Sequence, residues 1–315
     1  MKGTVIPQGL KNERGVDLDS STFIQIGYVA FGIWFFYCGC AIGSFLDVLV
    51  DRLPNDRNIL NARSECTSCH TILKWYDLFP LFSYFLLKGR CRYCGEKLSP
   101  MYLVSEISTG ILFVMAYYKY IHSFNIRITI MYLALWCMLY VVAAIDQKYY
   151  IIIDQVLLVG VIIGFVSRLT NSRTLFGDWY ITDTILECVV GVAVGLLFYG
   201  IIYWLAKLIF KREGFGSGDV LLLGAMGVFF SPQNVFVIGV LAFYMSAILI
   251  AVHVFRFKDK WRENPMPFGP AICLAAFAMS VFQTQILEGL TYILGIDMSK
   301  DMIMNLVEGL IANFV

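Results

Sequence analysis

Two sets of residues in this 315-residue sequence have types and spacing that could carry chemistry. The first is a pair of acids, Asp146 and Asp219, each next to a long apolar run. A carboxylate at an apolar helix is costly to keep charged, which favours a functional role. Two carboxyl groups held close together share one proton, and such a pair can activate a water molecule while protonating a leaving amine. The pair predicts aspartic-protease chemistry, with Gly216 and Gly218 leaving room for a substrate backbone.

A simpler interpretation of the same acids remains open. Both could lie at the membrane surface, where they would face headgroups and water. The three glycines Gly214, Gly216 and Gly218, which directly precede Asp219, favour a site instead. Asp154, eight residues after Asp146, is a weaker rival for the pair. Glu106, early in another apolar run, could bind a ligand, pair with a basic residue or lie at headgroup level.

The second set consists of four of the nine cysteines, in two Cys-x-x-Cys pairs formed by Cys66 with Cys69 and by Cys91 with Cys94. Four thiolates suit a tetrahedral Zn²⁺ ion in a closed structural site. The alternatives are two redox pairs or unpaired thiols, and His70 is an alternative ligand. The other five cysteines lie in apolar segments, where we expect them to be small packing residues.

Composition places these residues in an all-α polytopic membrane protein. Hydrophobic residues make up 59% of the chain and charged residues 15%, whereas charged residues make up about 25% of a soluble domain. The net charge of +1 gives no indication of nucleic-acid binding. We predict about eight transmembrane helices, the sixth of them short, at 23–50, 103–121, 128–145, 151–167, 184–206, 219–230, 235–255 and 268–285.

Charge then orients these helices. The predicted order is a polar segment at 1–22, the first helix at 23–50, a Cys-x-x-Cys loop at 51–102, a transmembrane core at 103–285 and an amphipathic tail at 286–315. Basic residues concentrate on one side, which predicts a cytoplasmic cysteine loop and an N-terminus outside. Both acids then lie at one depth, at the cytoplasmic side. In the cytoplasm the cysteine pairs are expected to bind a metal ion rather than to form disulfides.

Five motifs follow one another along the chain: Gly43-Ser44-Phe45-Leu46-Asp47-Val48 with Arg52-Leu53-Pro54, the two cysteine pairs around Pro80-Leu81-Phe82-Ser83-Tyr84, Ala144-Ile145-Asp146, Gly216-Ser217-Gly218-Asp219, and Pro267-Phe268-Gly269-Pro270. In this order they resemble the bacterial type IV prepilin peptidases, a family of intramembrane aspartic peptidases with leader peptidase and N-methyltransferase activity. The resemblance covers most of the chain.

The resemblance implies an enzyme of the bacterial inner (cytoplasmic) membrane that removes the leader peptide of prepilins and pseudopilins. It would cut after a glycine at the cytoplasmic face, with Asp146 and Asp219 as the catalytic dyad. It also implies N-methylation of the new N-terminal residue with S-adenosylmethionine, for which Glu106 and the cysteine loop are the candidate contacts. The predicted substrate contacts are Gly216, Gly218, Phe268 and Gly269.

The sequence departs from the family pattern at three positions. Asp47 stands where the family usually has Asn, Leu221 where it usually has Lys, and Ile153 where Pro often precedes the later acid. Two other functions are weighed beside the resemblance: an intramembrane aspartic protease with another substrate, and a non-catalytic transporter or scaffold that uses the acids as an ion path.

Overall fold

The computed structural model describes residues 20–59, 63–66, 68–120, 126–171, 181–210, 216–257 and 266–295. Within these ranges the chain forms nine α-helices, with β-pairing limited to two isolated bridges. In chain order the helices are α1 (Ser20–Arg52), α2 (Phe82–Leu86), α3 (Pro100–Tyr120), α4 (Ile126–Tyr149), α5 (Asp154–Asn171), α6 (Ile181–Phe210), α7 (Ser217–Met226), α8 (Pro232–Phe257) and α9 (Gly269–Leu294). The prediction of an all-α membrane protein with a cysteine-rich loop is confirmed.

Six of the described helices are long and apolar enough to cross a membrane: α1, α3, α4, α6, α8 and α9. The predicted count of eight is not confirmed. Helix α5 is not among the six, and α7, the predicted sixth span, is only ten residues long. The bilayer's hydrocarbon core needs about 20 helical residues, so α7 crosses only part of it.

Several predicted segments reach beyond the described residues. Only the last residues of the polar segment 1–22 are described, and they already belong to α1. Gly214 and Phe215 lie outside the described residues. Of the predicted amphipathic tail, 286–294 forms the end of α9, which closes at Gly295 with φ +66°, and 296–315 lies outside the described residues.

The chain divides into two compact units, and α1 contributes to both. The first unit comprises residues 1–45 and 63–123, and α1 and α3 pack closely within it. A Cβ atom added to Gly39 would lie 2.7 Å from the carbonyl oxygen of Thr109. The Tyr117 hydroxyl donates a hydrogen bond to the carbonyl of Tyr28 over 3.2 Å. Small residues on α1 therefore let the two helices approach closely.

The second unit comprises residues 46–62 and 124–315. Here α4 packs against α5 and α9, and α6 packs against α7 and α8. The buried indole of Trp136 on α4 donates to Ser280 Oγ on α9 over 2.8 Å. On the other side, the buried Tyr199 hydroxyl donates to the carbonyl of Gly239 over 3.0 Å, which joins α6 to α8. Polar side chains inside the bundle thus bond across helices.

Glycines bring α6 and α7 into backbone contact. A Cβ atom on Gly191 would lie 2.7 Å from the carbonyl oxygen of Gly227, and one on Gly195 would lie 2.6 Å from that of Leu223. A Cβ atom on Gly227 would overlap the backbone of Gly191 and Val192. Since backbone atoms cannot rotate away, any side chain at these positions must push the helices apart.

We expect Gly191→Ala to destabilise the protein because its methyl group would meet the backbone of α7. Overpacking of this kind costs about 1–3 kcal/mol. Gly200→Ala is the matched control on the same helix, since a Cβ atom there has nothing within 4 Å and alanine favours a helix over glycine by about 1 kcal/mol. Thermal unfolding of the purified protein should show a lower midpoint for Gly191→Ala alone. Equal midpoints for the two variants would contradict the close contact.

Candidate active site

Asp146 is held in the last turns of α4 and is 6% exposed. Its carboxylate accepts a hydrogen bond over 3.0 Å from the backbone N–H of Gly269, the first residue of α9. The N-terminus of a helix presents free N–H groups and a positive dipole end, both of which stabilise a carboxylate. A Cβ atom on residue 269 would overlap the Asp146 carboxylate, so this contact requires glycine.

Asp219 is the third residue of α7 and is 7% exposed. Its carboxylate accepts the N–H of Gly216, the residue that caps the helix, over 3.3 Å. The Asp219 N–H in turn donates to the Gly216 carbonyl over 3.2 Å. An acid at this position caps its own helix, which explains locally why the chain turns into α7 at this point.

The fold brings the two acids together, although 72 residues separate them in sequence. Their carboxyl groups interact electrostatically, and both act on the buried thiol of Cys273 on α9. Cys273 is one of the five cysteines in apolar segments that the sequence predicts as packing residues, and its place beside the acids is a finding of the structure. The signal was weak, because a single cysteine in an apolar helix is most often a packing residue.

Close packing explains why the residues before Asp219 are glycines. A Cβ atom on Gly218 would lie 3.0 Å from the Ile152 side chain in the connection between α4 and α5. A Cβ atom on Gly216 would lie 3.1 Å from the Asp219 carboxylate. Both glycines therefore let the start of α7 fold closely on its surroundings, and their role as substrate contacts stays a prediction.

Phe268 belongs to an aromatic cluster next to the acids. Its ring centroid lies 5.4 Å from that of Phe243 and 5.9 Å from that of Tyr199. Tyr199 also interacts electrostatically with Asp219. The turn Pro267-Phe268-Gly269-Pro270 begins α9, as expected, and it also delivers the N–H that binds Asp146. Phe268 and Gly269 as substrate contacts stay predictions.

The structure gives defined surroundings to the rival acid Asp154 and to the positions that depart from the family pattern. Asp154 begins α5 and is exposed, unlike the two buried acids. Leu221, where the family usually has Lys, is 45% exposed on α7. Asp47 accepts a hydrogen bond from the Tyr140 hydroxyl over 3.0 Å, and Asp51 lies 3.4 Å from Lys148 Nζ. The acids at the end of α1 thus bind polar groups of α4.

The four predicted metal ligands Cys66, Cys69, Cys91 and Cys94 form one cluster, in which all four sulfur atoms lie within 4.8 Å of one another. Each pair sits in a short hairpin. The N–H of Cys66 donates to the Thr71 carbonyl over 3.1 Å, and the N–H of Cys91 donates to the Glu96 carbonyl over 2.8 Å. The residue after each second cysteine, His70 and Gly95, has a positive φ of 54° and 74°.

This cluster fits a closed metal site made only of sulfur. His70 is not part of it, because its ring points outward to Glu65, 3.8 Å away, and is 73% exposed. Hydrogen bonds with the side chain and the backbone of Thr71 lower the pKa of Cys69 to about 6. The lowered pKa favours the thiolate form of Cys69, which is the form that binds a metal ion.

The second hairpin is braced by a buried acid. Asp77 accepts hydrogen bonds from Arg92 Nε over 2.6 Å and from the Tyr93 hydroxyl over 3.0 Å. Burial acts to raise the pKa of Asp77, but these bonds and the N–H of Lys74 outweigh it and hold the pKa below its ordinary value. The charged form of Asp77 therefore fixes the two residues between Cys91 and Cys94.

Glu106, the candidate cofactor contact, is buried on α3 and already has a protein partner. Its Oε2 accepts the backbone N–H of Leu81 over 2.8 Å. This bond ties the segment between the cysteine pairs to α3. The described residues do not single out a place for S-adenosylmethionine, and the assignment of Glu106 to that cofactor stays a prediction.

Comparisons with known proteins match most of the chain. The family model "Bacterial Peptidase A24 N-terminal domain" matches residues 37–120, which include the four cysteines, and the model "Type IV leader peptidase family" matches residues 133–252, which include both acids. No solved structure matches.

Curated relatives named prepilin leader peptidase/N-methyltransferase include proteins from three bacteria. The Klebsiella pneumoniae protein is 32% identical over 208 residues, which are 64% of this chain and 86% of that protein. The Pseudomonas putida protein is 27% identical over 280 residues, 82% of this chain and 92% of that protein. The Myxococcus xanthus protein is 30% identical over 213 residues, and the match spans 68% of this chain and only 59% of that protein. The chain therefore belongs to the type IV prepilin leader peptidase family.

Proposed function

We propose that this chain is a membrane aspartic endopeptidase that removes the leader peptide of type IV prepilins and pseudopilins. The observation that carries the proposal is the meeting of two buried carboxyl groups, Asp146 and Asp219, inside a bundle of apolar helices. We place the enzyme in the bacterial inner membrane, with the N-terminus outside and the cysteine loop in the cytoplasm, because the basic residues concentrate on that side.

The chemistry follows from the pair. Two neighbouring carboxyl groups share one proton because both cannot ionise cheaply. The charged member takes a proton from a water molecule, which attacks the carbonyl carbon of the peptide bond. The protonated member first hydrogen-bonds the carbonyl oxygen, and the pair then delivers a proton to the leaving amine. The N–H groups of Gly269 and Gly216 hold the two carboxyl groups in place during these steps.

The depth of the site suits the substrate. A prepilin consists of a charged leader followed by an apolar helix, so its cleavage site lies where the bilayer meets the cytoplasm. Asp146 lies three residues before the end of α4, and Asp219 lies in the first turn of α7. Both acids are therefore at helix ends, where a peptide can approach from the bilayer with its leader still in water.

We further propose that the enzyme methylates the new N-terminal residue with S-adenosylmethionine as donor. The proposal rests on the relatives, whose names include N-methyltransferase. S-adenosylmethionine supplies an electrophilic methyl group, and the new N-terminal amine is the nucleophile that the peptidase step releases.

The four thiols are proposed to hold one structural Zn²⁺ ion. Cys₄ sites are tetrahedral and closed, with no open position for substrate, so the ion stabilises the loop rather than taking part in catalysis. The hairpins around the two cysteine pairs have short backbone hydrogen bonds but few buried apolar side chains, since Cys66 and Cys91 are the buried hydrophobic residues there. Metal binding would supply the missing folding free energy.

Asp146→Asn and Asp219→Asn, made separately, should each lower cleavage of a prepilin by at least ~100-fold, because an amide cannot exchange the proton that general acid–base catalysis needs. Cleavage is measured in membranes by the change in substrate size. Asp154→Asn is the matched control and should keep its activity, since Asp154 is exposed at the start of α5. Full activity in either buried-acid variant would exclude the dyad, and a scaffold would keep its partner binding in all three variants.

Product mass tests the methylation step. Wild-type protein incubated with a prepilin and S-adenosylmethionine should release a mature pilin that carries one additional methyl group at its N-terminus. Omission of S-adenosylmethionine is the control, and it should leave cleavage intact while the methyl group is missing. A cleaved product that never gains a methyl group would restrict the enzyme to peptidase activity.

Metal analysis tests the zinc site. The purified protein should contain about one zinc ion per chain, because four thiolates complete one closed site. Cys66→Ser and Cys91→Ser should each lose most of the zinc and lower the unfolding temperature. Cys38→Ser is the control, as Cys38 lies in α1 away from the cluster. Zinc content that is unchanged in the Cys66 and Cys91 variants contradicts the assignment.

A further inference from the structure

An apolar segment of ten residues, 78–87, lies between the two cysteine pairs and takes no part in the sites above. Its sequence is Leu-Phe-Pro-Leu-Phe-Ser-Tyr-Phe-Leu-Leu. Phe85 is 64% exposed and Leu86 is 78% exposed. An apolar run of 10–14 residues is too short to span a bilayer but is typical of re-entrant or interfacial segments. Such exposure in a water-filled loop would need a partner surface.

Contact with α1 places this apolar segment beside the membrane-spanning part of the chain. The ring of Phe82 stacks on that of Tyr37, with centroids 5.8 Å apart and planes 11° apart. Tyr37 lies inside the candidate span Gln25–Asn55. It is fifteen residues, or about 22 Å of helix, before Arg52 at the end of α1. Phe82 therefore lies well below the end of that helix.

Contact with α3 independently places the segment beside a second membrane-spanning helix. The Leu81 N–H donates to the carboxylate of Glu106, which is buried six residues, or about 9 Å of helix, into the span Pro100–Tyr120. The Leu81 N–H precedes the short helix α2 and lies where no helical carbonyl accepts it. Inside a bilayer such a group is costly unless the protein supplies an acceptor, and Glu106 is that acceptor.

Several other polar groups of the segment are bonded within it. Ser83, its one residue with an aliphatic hydroxyl, donates from Oγ to the Phe79 carbonyl over 2.9 Å. The same carbonyl accepts the Ser83 N–H over 3.1 Å, and the Leu87 N–H donates to the Ser83 carbonyl over 3.0 Å. Pro80 has no N–H to satisfy. These bonds lower the cost of moving the segment out of water.

The residues on either side are those that anchor a segment at headgroup level. Lys74 and Trp75 precede the segment, and Trp75 is 77% exposed. Lys88 and Arg90 follow it, and both are exposed. Tryptophan is enriched at the membrane–water interface, and basic side chains bind anionic headgroups of the cytoplasmic leaflet.

We propose that residues 78–87 form a re-entrant element whose exposed face, with Phe85 and Leu86, lies among phospholipid acyl chains beside α1 and α3. The segment contacts α1 through Tyr37, which is 38% exposed, and α3 through the buried Glu106. Trp75, Lys88 and Arg90 lie at the headgroups. The element anchors both cysteine hairpins at the membrane surface, and the proposal does not depend on the peptidase reaction.

Photocrosslinking tests this proposal on the full chain in vesicles of phosphatidylethanolamine and phosphatidylglycerol. p-Benzoylphenylalanine replaces Phe85 or Leu86 in separate variants, and Ile72 in a matched control. Ile72 is an exposed apolar side chain of the same loop, in the first cysteine hairpin. After irradiation, mass spectrometry should find phospholipid joined to positions 85 and 86 at several times the yield of position 72. Equal yields, or crosslinks from 85 and 86 to a protein chain instead, overturn the proposal.

Hydroxyl-radical footprinting of the unmodified protein gives a second test that no variant can disturb. Phe85 should be protected from aqueous radicals in the vesicles despite its exposure in the protein, whereas Tyr93, 41% exposed in the second hairpin, should be oxidised. Oxidation of Phe85 to the same extent as Tyr93 would place the segment in water and reject the proposal.

Discussion

The position of one short helix is the constraint on which the candidate active site depends. Helix α7 carries Asp219 but has ten residues, too few to cross the bilayer, so its neighbours must hold it. Along its side, glycines at Gly191 and Gly195 of α6 let the two backbones touch. Beyond its far end, Arg168 donates to the carbonyls of Val228 and Phe230 over 3.3 Å each and pairs with Glu187 on α6. Carbonyls that leave the helical pattern within a membrane need such a donor, and the paired carboxylate compensates the guanidinium charge.

A second constraint acts at the near end of α7, where the acids meet. Each carboxylate accepts one N–H at the beginning of a helix, Asp146 from Gly269 of α9 and Asp219 from Gly216 before α7. These donors are neutral backbone groups, so they hold the two side chains at defined positions without adding a full positive charge that would neutralise the pair. Gly269 has to be glycine for the contact to form. The closing motif Pro267-Phe268-Gly269-Pro270 is thus as much a part of the site as the helices that carry the acids.

Much of this could be predicted from the sequence because the responsible forces are local. Apolar runs indicated the helices, and the two Cys-x-x-Cys pairs indicated one cluster of four thiols, which the fold assembles. The count of eight spans was not confirmed because length in sequence does not reveal where an apolar run breaks. Residues 219–230 were predicted as one short span, but the helix ends at Met226 and the chain turns within Gly227–Phe230. Gly227 is only a weak local signal for that turn, since Val228, Phe229 and Phe230 are as apolar as the helix.

The sequence by itself determined the class of protein, the family and the identity of the two acids and four cysteines, because composition, spacing and motif order are properties of the linear chain. Only the tertiary structure decided what each of these residues touches. The N–H of Gly269 binds Asp146, the thiol of Cys273 lies beside both acids, and the carboxylate of Glu106 binds Leu81. Each of these contacts joins residues from different secondary-structure elements. These contacts arise from helix packing, which determines which side chain meets which backbone donor. No local sequence pattern specifies that packing.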